Sequence, residues 1–400
     1  MKRIFPLLLL AVSLTFQAVP VAADSWTPTG SMAVARQGHT ATLLNNGTVL
    51  IVGGDNTGAL LYGPGAGLFG ATNGTPSYEP RQGATTTLLG NGTVLIVGGD
   101  GGPQSAQIYY PTTRTFALTT GSPTYIHSFH TATLLPDGRV LIAGGQNSTA
   151  GPQTTNLAEL YDPSTGNFAR TGSLTVDRSG HSATLLSNGK VLIAGGTETT
   201  TDGNGITLSS TELFDPSSQT FTPGPSMSVG RTGTMATTLP NGKVLLIGWL
   251  SAAADLYDPA TNTVTTTGSM ITPHADGTAT LLTPGGVLVA GGFTATGPIT
   301  TNSAELYDPV AGVFTATASM SVARQVFTAT LLPDGRVLVV GGYNPTNGDL
   351  ASAELYLPPE PMTIPEPRLA GKRAGMVVFS SYPADPRPRR AAAVKVKGKR

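Results

Sequence analysis

The residues in this sequence that could hold a metal ion or transfer a proton are histidines and aspartates at recurring points of a repeated pattern. Imidazole is a common ligand for zinc, copper and iron, and two carboxylates within roughly 5 to 10 Å of each other can hydrolyse a glycoside. The histidines are His39, His127, His130, His181 and His274, and the aspartates that follow an aromatic residue and precede proline are Asp162, Asp215, Asp258 and Asp308. Because equivalent positions of successive repeats are spread through a repeat protein, the pattern favours structural roles, with the aspartates as turn formers. We predict no metal site.

Other signatures of catalysis are missing from the sequence. There is no cysteine, which excludes disulfides, thiolate metal sites and cysteine nucleophiles. There is also no Gly-x-Ser-x-Gly elbow, no His-Glu-x-x-His motif and no phosphate-binding glycine loop. We therefore predict neither catalytic residues nor a cofactor, although the sequence leaves open whether any catalysis occurs.

The repeat that carries these residues has two parts of fixed length. The first part is RQGHTATLLNNGTVLIVGG in its first copy, and its initial Arg or His always lies 17 residues before the first Gly of a closing Gly-Gly pair, which is Gly-Trp in the fifth copy. Its copies begin at Arg36, Arg81, His127, Arg178, Arg231, His274 and Arg324. The second part, of the type AELYDPSTGNF, places an aromatic residue such as Tyr161 seven residues before another such as Phe168, although the fifth copy has Val264 at the later position.

Each fixed part is typical of a β-hairpin. Strand-length apolar runs are joined by Asn-Gly or Asp-Gly in the first part and by a turn such as DPSTGN in the second. Four strands per repeat, apolar or small on both faces, indicate sheets that pack between neighbouring sheets, which is the arrangement of a β-propeller rather than a helical solenoid. Since the fifth copy keeps the spacing, we predict seven blades and not six.

The two ends of the repeat region complete each other. The seventh copy ends with AELYLP at residues 353–358 and no fourth strand follows, whereas Ser25 to Met32 resembles the fourth-strand segments FTATASM and FARTGSL. Trp26 lies ten residues before Arg36, as Phe314 lies ten residues before Arg324. We predict that the N-terminal segment supplies the last strand of the seventh blade and removes an open sheet edge.

Composition and charge divide the chain into three regions. Residues 1–23 combine Lys2 and Arg3 with an apolar run and the small residues Val21-Ala22-Ala23, as in a signal peptide cleaved after Ala23. Residues 24–358 form the predicted propeller, with 11 basic and 20 acidic residues. Residues 359–400 form a Pro-rich tail with ten basic and three acidic residues, which we expect to be disordered. We expect a secreted or periplasmic bacterial protein, a monomer with no transmembrane segment and no nucleic-acid partner.

The motifs together resemble the kelch repeat. The Arg-to-Gly-Gly segment, the Tyr-Asp-Pro tripeptide and the aromatic residue before the next Arg carry the resemblance, and HTATLLPDGRV is most similar to the bacterial secreted group compared with the central domain of galactose oxidase. The resemblance implies an all-β, seven-bladed propeller. Galactose-oxidase-like copper enzymes use two tyrosines and two histidines, with one tyrosine crosslinked to cysteine and one directly followed by histidine; this chain has no cysteine and no Tyr-His dipeptide.

The link between the second and third strands is the part of the repeat that varies in length. It spans 8 residues from Gly54 to Tyr62 but 18 from Gly196 to Phe214, and variable links on one face usually form the binding surface of a repeat protein. The candidate ligand-binding residues that leave the second strands are Asp55, Asp100, Gln146, Thr197, Trp249, Phe293 and Tyr343. We predict a polar, partly acidic arc that faces an aromatic arc, although the same side chains could merely cover the blade ends.

The predicted function follows from this surface. We expect a non-catalytic binding module for an extracellular or envelope protein or a glycan. The alternative is a galactose-oxidase-like copper enzyme or another carbohydrate-active enzyme. A third possibility is a purely structural envelope scaffold with no soluble ligand. The sequence does not identify the ligand or the role of the tail.

Overall fold

The computed structural model describes residues 24–54, 58–76, 82–99, 105–125, 128–147, 153–200, 204–294 and 299–359, and the regular structure within them is entirely β. Seven four-stranded antiparallel sheets follow one another along the chain. We number them as blades 1 to 7 in chain order. The innermost strands are Thr40–Leu43, Thr85–Leu88, Thr131–Leu134, Ser182–Leu185, Met235–Thr238, Thr278–Leu281 and Thr328–Leu331.

The other strands of each blade lie progressively further from the propeller axis. The second strands are Val49–Val52, Val94–Val97, Val140–Ala143, Val191–Ala194, Val244–Gly248, Val287–Ala290 and Val337–Val340. The third strands are Leu60–Gly63, Ala106–Tyr110, Ala158–Asp162, Thr211–Asp215, Ser251–Asp258, Ala304–Asp308 and Ala353–Leu357. The fourth strands of blades 1 to 6 are Leu68–Ala71, Thr115–Leu118, Asn167–Arg170, Thr220–Pro223, Thr263–Thr266 and Val313–Ala316.

Three two-stranded ribbons extend from the links between second and third strands. They pair Gln146–Asn147 with Gln153–Thr154 in blade 3, Thr197–Thr199 with Gly205–Thr207 in blade 4, and Tyr343–Asn344 with Gly348–Asp349 in blade 7. Blade 5 differs because Gly248 pairs directly with Ser251, so that its link is a tight turn.

The ring is closed by the N-terminal segment. Ser25–Pro28 is the fourth strand of blade 7 and pairs antiparallel with Ala353–Leu357, Trp26 lying opposite Tyr356. The innermost strand of blade 1 packs against that of blade 7, so the seven inner strands form a closed circle. The predicted seven-bladed propeller and its closure are therefore confirmed. Residues 1–23 and 360–400, which contain the predicted signal peptide and nearly all of the tail, lie outside the described residues.

The core lies between blades rather than inside a single sheet. The second strands are buried along their whole length, for example Val49–Val52 and Val140–Ala143, because each sheet is covered on both faces. One apolar cluster joins Leu141 of blade 3 with Ile193 and Phe214 of blade 4. Continuous apolar runs such as VLIV, without polar alternation, follow from this burial on both faces.

The spacing between aromatic residues is explained by cross-strand pairs. Tyr62 lies opposite Phe69, Tyr161 opposite Phe168 and Tyr307 opposite Phe314, with ring centroids 4.9, 4.9 and 4.7 Å apart. Aromatic pairs in this tilted geometry add to the stability of a sheet. In blade 7, Trp26 replaces Phe and lies 5.0 Å from Tyr356.

The fixed spacing of 17 residues is explained by buried hydrogen bonds. Arg178 donates to the carbonyl of Gly195 at 2.8 Å, and Arg324 donates to that of Gly341 at 2.7 Å, each bond spanning 17 residues. The imidazole Nδ1 of His274 lies 2.6 Å from the Gly291 carbonyl over the same separation. Each of these side chains therefore ties the start of an innermost strand to the end of the second strand.

These basic side chains also form buried pairs with carboxylates of the third strand. Arg178 pairs with Glu212 and Arg231 with Asp255, both at 2.7 Å, and Arg324 pairs with Glu354 at 2.8 Å; His274 lies 3.2 Å from Glu305. The equivalent third-strand residue is Gln107 in blade 2 and Leu60 in blade 1.

Candidate functional site

The variable links and the starts of the innermost strands meet on one face of the propeller, which we call the loop face. Isolated bridges join Ser128 to Gln146, Ser179 to Thr197, Ala275 to Phe293 and Gln325 to Tyr343. Four of the predicted residues therefore lie beside the segment that leads into the innermost strand of their own blade, namely Gln146, Thr197, Phe293 and Tyr343. The aspartates of the Tyr-Asp-Pro segments lie at turns on the opposite face, where Asp162 accepts a hydrogen bond from the Ser164 amide at 2.8 Å.

A cavity of about 500 Å³ opens on the loop face where the seven inner strands begin, and every blade contributes to its lining. We call it the channel mouth. Its rim consists of the residue two positions after the initial Arg or His in each repeat: Gly38, Gly83, Phe129, Gly180, Gly233, Asp276 and Val326.

All seven rim residues have a left-handed backbone, with φ between 52° and 72°. Glycine adopts this conformation freely, whereas for other residues it costs roughly 1 to 3 kcal/mol, and a β-branched residue such as Val326 is a clear outlier. Three residues that line the mouth therefore have a strained backbone: Phe129, Asp276 and Val326.

Backbone hydrogen bonds between neighbouring blades hold the rim in this conformation. In one arc the amide of Gly38 donates to Val326 and that of Val326 donates to Asp276, both at 3.0 Å. In a second arc the amides of Gly233, Gly180 and Phe129 donate to the carbonyls of Gly180, Phe129 and Gly83, at 2.8, 2.9 and 2.9 Å. The left-handed φ is thus required by the links between blades, even where the residue is not glycine.

Asp276 carries a carboxylate at the edge of the channel mouth. The side chain is solvent-accessible and, among the described residues, makes no hydrogen bond or ion pair. Desolvation by the surrounding walls raises its pKa above the ordinary value of 3.8. Its Oδ1 atom lies against blade 5, where a methyl group added to Gly233 would come within 3.2 Å.

The predicted aromatic arc is partly assembled. Trp249 and Phe293 meet edge to face, with ring centroids 6.4 Å apart and planes inclined by 78°. Trp249 has φ 59° because it occupies the position of the second glycine in the other repeats. The sequence left the direction of this side chain open, and the structure places its ring against blade 6.

The other predicted residues are held separately. Gln146, Thr197 and Tyr343 are half-buried and each begins the ribbon of its own blade. Asp55 and Asp100 lie outside the described residues. The sequence did not identify Phe129, Asp276 and Val326, whose only signal is the loss of glycine from an Arg-x-Gly pattern.

The described histidines make local contacts within and between blades. The Nε2 atoms of His39, His130 and His181 lie 3.0, 2.8 and 2.9 Å from the threonine hydroxyls of Thr328, Thr85 and Thr131 in the preceding blade. Burial, together with the guanidinium of Arg36 or Arg178, lowers the pKa of His39 and of His181 to about 3. The imidazole rings of His39 and His181 are therefore uncharged at ordinary pH and contact the preceding blade through a threonine hydroxyl.

The buried histidines predict a loss of stability in mild acid. Below the ordinary histidine pKa of 6.5 the unfolded chain gains protons at His39 and His181, but the folded chain does not until the pH approaches 3. The free energy of unfolding should therefore decrease as the pH falls from 6.5 towards the ordinary aspartate pKa of 3.8. Urea unfolding experiments at several pH values across this range measure the decrease in the free energy of unfolding. The variant His181→Phe, which copies Phe327 at the equivalent position of blade 7, should show a weaker pH dependence; an equal dependence would contradict the assignment.

Comparisons with known proteins agree with this architecture. The kelch motif model matches residues 178–228, which begin at the initial Arg of blade 4. A copper-containing structure of a fungal alcohol oxidase of the AA5 family is 16% identical and covers 84% of this chain and 76% of its own, with a TM-score of 0.69. YjhT is 17% identical and covers 72% and 99%, with a TM-score of 0.55. No curated protein matches the sequence. The resemblance to kelch repeats is confirmed, and at these identities the two structures show the fold alone.

A copper centre of the galactose-oxidase type does not fit this chain. The crosslinked cofactor needs a cysteine, and the sequence has none. Among the described residues no group of three or more histidine, aspartate and glutamate side chains is close enough to hold a metal ion. No helix in the described part of the chain is long and apolar enough to span a membrane.

Proposed function

We propose that this seven-bladed propeller of kelch-type repeats is a non-catalytic binding module that holds part of a protein or glycan ligand at its channel mouth. The proposal includes export, since residues 1–23 have the pattern of a cleaved signal peptide. The observation that carries it is the cavity of about 500 Å³ lined by all seven blades, a size typical of sites that enclose a small ligand or a side chain.

The strain of the rim supports a binding role. Four blades have glycine at the rim position, so the fold does not require the strained side chains of Phe129, Asp276 and Val326. Strained side chains that persist at a cavity are more often used for binding than for packing. The aromatic pair of Trp249 and Phe293 adds a surface of the kind that recurs in binding sites.

Filling the channel mouth should abolish binding. The variant Val326→Phe enlarges a rim side chain, and Phe129 shows that a rim position accepts phenylalanine. The matched control is Val310→Phe at a turn on the opposite face, where Val310 is 96% exposed. Labelled wild-type protein is first applied to glycan and peptide arrays, and bound probes are then titrated against both variants.

We expect Val326→Phe to weaken binding by about tenfold or more, which corresponds to roughly 1.4 kcal/mol, and Val310→Phe to leave it unchanged. Thermal unfolding checks that both variants are folded. If Val326→Phe is unstable, Trp249→Ala tests the same face. Equal binding by wild type and a folded Val326→Phe would contradict the proposal.

A further inference from the structure

We infer that the channel mouth binds an organic cation, a primary ammonium or guanidinium group, with Asp276 as its counter-ion. The inference rests on the proposed function, which it narrows from an unspecified protein or glycan segment to a ligand that presents a positive charge. It is carried by the cavity, the unpartnered carboxylate and the acidic character of the described loop face.

Asp276 differs from the structural carboxylates of the blades. Glu212 accepts hydrogen bonds from Arg178 and from the amides of Thr175 and Val176, and Glu354 is bonded in the same way. The carboxylate of Asp276 has no such partner among the described residues, although it is in a partly desolvated position. A carboxylate in such surroundings is stabilised by a cation that brings both charge and hydrogen-bond donors.

The described lining of the mouth contains few groups that could repel a cation. Among its described lining residues there is no lysine or arginine. Of its three described histidines, His39 and His181 are neutral because their pKa is about 3. Arg36 and Arg178, whose charges contribute to this lowering of the pKa, are buried and do not line the mouth. Phe129 and Val326 contribute apolar surface on either side of the ring, and the alkyl stem of a lysine or arginine side chain would pack well on such surface.

The accessible charges described on the loop face are of one sign, whereas the opposite face carries both signs. On the loop face, the solvent-accessible charged residues that the structure describes at the mouth, the ribbons and the strand entries are acidic: Asp177, Glu198, Asp276 and Asp349. The accessible basic residues lie at hairpin turns of the opposite face or, for Arg170, on an outermost strand. At these turns Arg139 pairs with Asp137, Lys190 with Asp215, Lys243 with Asp258 and Arg336 with Asp334, and Arg114 lies at another. The loop face therefore attracts cations and repels anions.

The aromatic pair is linked to the strand that carries Asp276 by backbone hydrogen bonds of the preceding residue. Asp276 directly follows Ala275, whose amide donates to the Phe293 carbonyl at 3.1 Å and whose carbonyl accepts from the Phe293 amide at 2.8 Å. Trp249 reaches the same boundary between blades 5 and 6 through its contact with Phe293. Aromatic rings at this boundary offer faces of the kind that attract ammonium and guanidinium groups.

The test uses pentapeptides with neutral, capped ends and flanking Gly and Ser residues, which differ only in the central residue: Lys, Arg, Gln or Glu. Free 1,5-diaminopentane is tested beside them. Binding is followed by tryptophan fluorescence and by calorimetry at low and moderate salt. We expect the Lys or Arg peptide to bind about tenfold or more tightly than the Gln and Glu peptides, because a charge-assisted hydrogen bond contributes at least a factor of this size. Binding by the peptide but not by the diamine identifies a side chain as the source of the cation, and equal binding identifies a free amine; both outcomes support the inference.

Two variants separate a specific site from general attraction. Asp276→Asn keeps the shape of the side chain and should lower the affinity for the cationic probe about tenfold. Asp349→Asn removes the same charge from a ribbon of the same face and should leave the affinity within about twofold, as expected for a distant surface charge. Asp276→Asn should also raise the melting temperature, since it removes an unpartnered carboxylate.

The outcomes distinguish this inference from the proposed function. If array ligands bind and are lost in Val326→Phe but not in Asp276→Asn, the mouth is a binding site and the cation is wrong. If cationic probes bind equally well to wild type, Asp276→Asn and Asp349→Asn, the attraction is general and the inference is overturned. It is overturned as well if no cationic probe binds to the wild type at low salt. If Val326→Phe has no effect on any bound probe, the proposed function itself fails.

Discussion

Deleting Ser25–Pro28 is expected to convert the protein from a cooperatively folded propeller into an aggregation-prone one. The strand supplies the outer edge of blade 7, and without it Ala353–Leu357 exposes unpaired backbone groups. The loss also removes Trp26, whose Nε1 donates to the Ala318 carbonyl at 2.7 Å and whose ring lies 5.0 Å from Tyr356. Thermal unfolding and light scattering of the chain that begins at Thr29, compared with the chain that begins at Asp24, measure the effect.

Point variants at Trp26 divide this effect into parts. Trp26→Ala should cost about 3 kcal/mol, the lower end for loss of a large aromatic side chain from a packed site. Trp26→Phe copies the other blades and should cost only about 1 kcal/mol, since it loses the hydrogen bond but keeps an aromatic pair. A synthetic peptide with the sequence of residues 24–32, added to the deletion variant, should raise its melting temperature by strand addition. A deletion variant that is as soluble and heat-resistant as the intact chain would contradict the closure.

The second large effect is expected at Glu354. Its carboxylate accepts hydrogen bonds from Arg324 at 2.8 Å and from the Ser321 amide at 2.8 Å, and both side chains of the pair are almost fully buried. Glu354→Ala should destabilise the propeller by about 3 to 5 kcal/mol because it leaves a buried guanidinium with neither its counter-ion nor an acceptor in that place. Denaturant titration measures the difference in the free energy of unfolding.

The chain itself supplies the controls for Glu354. Blade 2 has Gln107 at the equivalent position, so Glu354→Gln should cost only about 1 to 2 kcal/mol, because the amide keeps an acceptor for Arg324. The double variant Arg324→Met, Glu354→Leu removes both charges and should be less harmful than Glu354→Ala alone. Equal losses for the alanine and glutamine variants would contradict this expectation, since they would show that the charge of Glu354, and not a neutral acceptor, stabilises the site.

Much of the fold could be predicted because its repeating contacts are local in sequence. The aromatic pair of Tyr161 and Phe168 follows from two strands joined by a short turn, and the Arg-to-Gly interval follows from one hydrogen bond across a hairpin. Closure could be predicted because Trp26 keeps the same distance to Arg36 that Phe314 keeps to Arg324.

The candidate site was less predictable because it depends on conformations that the residue types do not reveal. Asp276 and Val326 look like ordinary departures from glycine, and only the bonds between blades show that the backbone remains left-handed there. The contact of Trp249 with Phe293 depends in the same way on the positive φ of Trp249. Such features arise from the assembly of neighbouring blades, which no single repeat contains.

The pairing of Ser25 with Leu357 has a mechanical consequence. Ser25 and Leu357 are the first and last strand residues of the propeller, and they lie side by side on the face away from the cavity. Tension applied between these two ends would break the hydrogen bonds between Ser25–Pro28 and Ala353–Leu357 one after another, by peeling. It would not load all of them at once, as shear would. A tether attached at either end would leave the cavity facing away from the point of attachment. A modest force applied to both ends would open the seventh blade first.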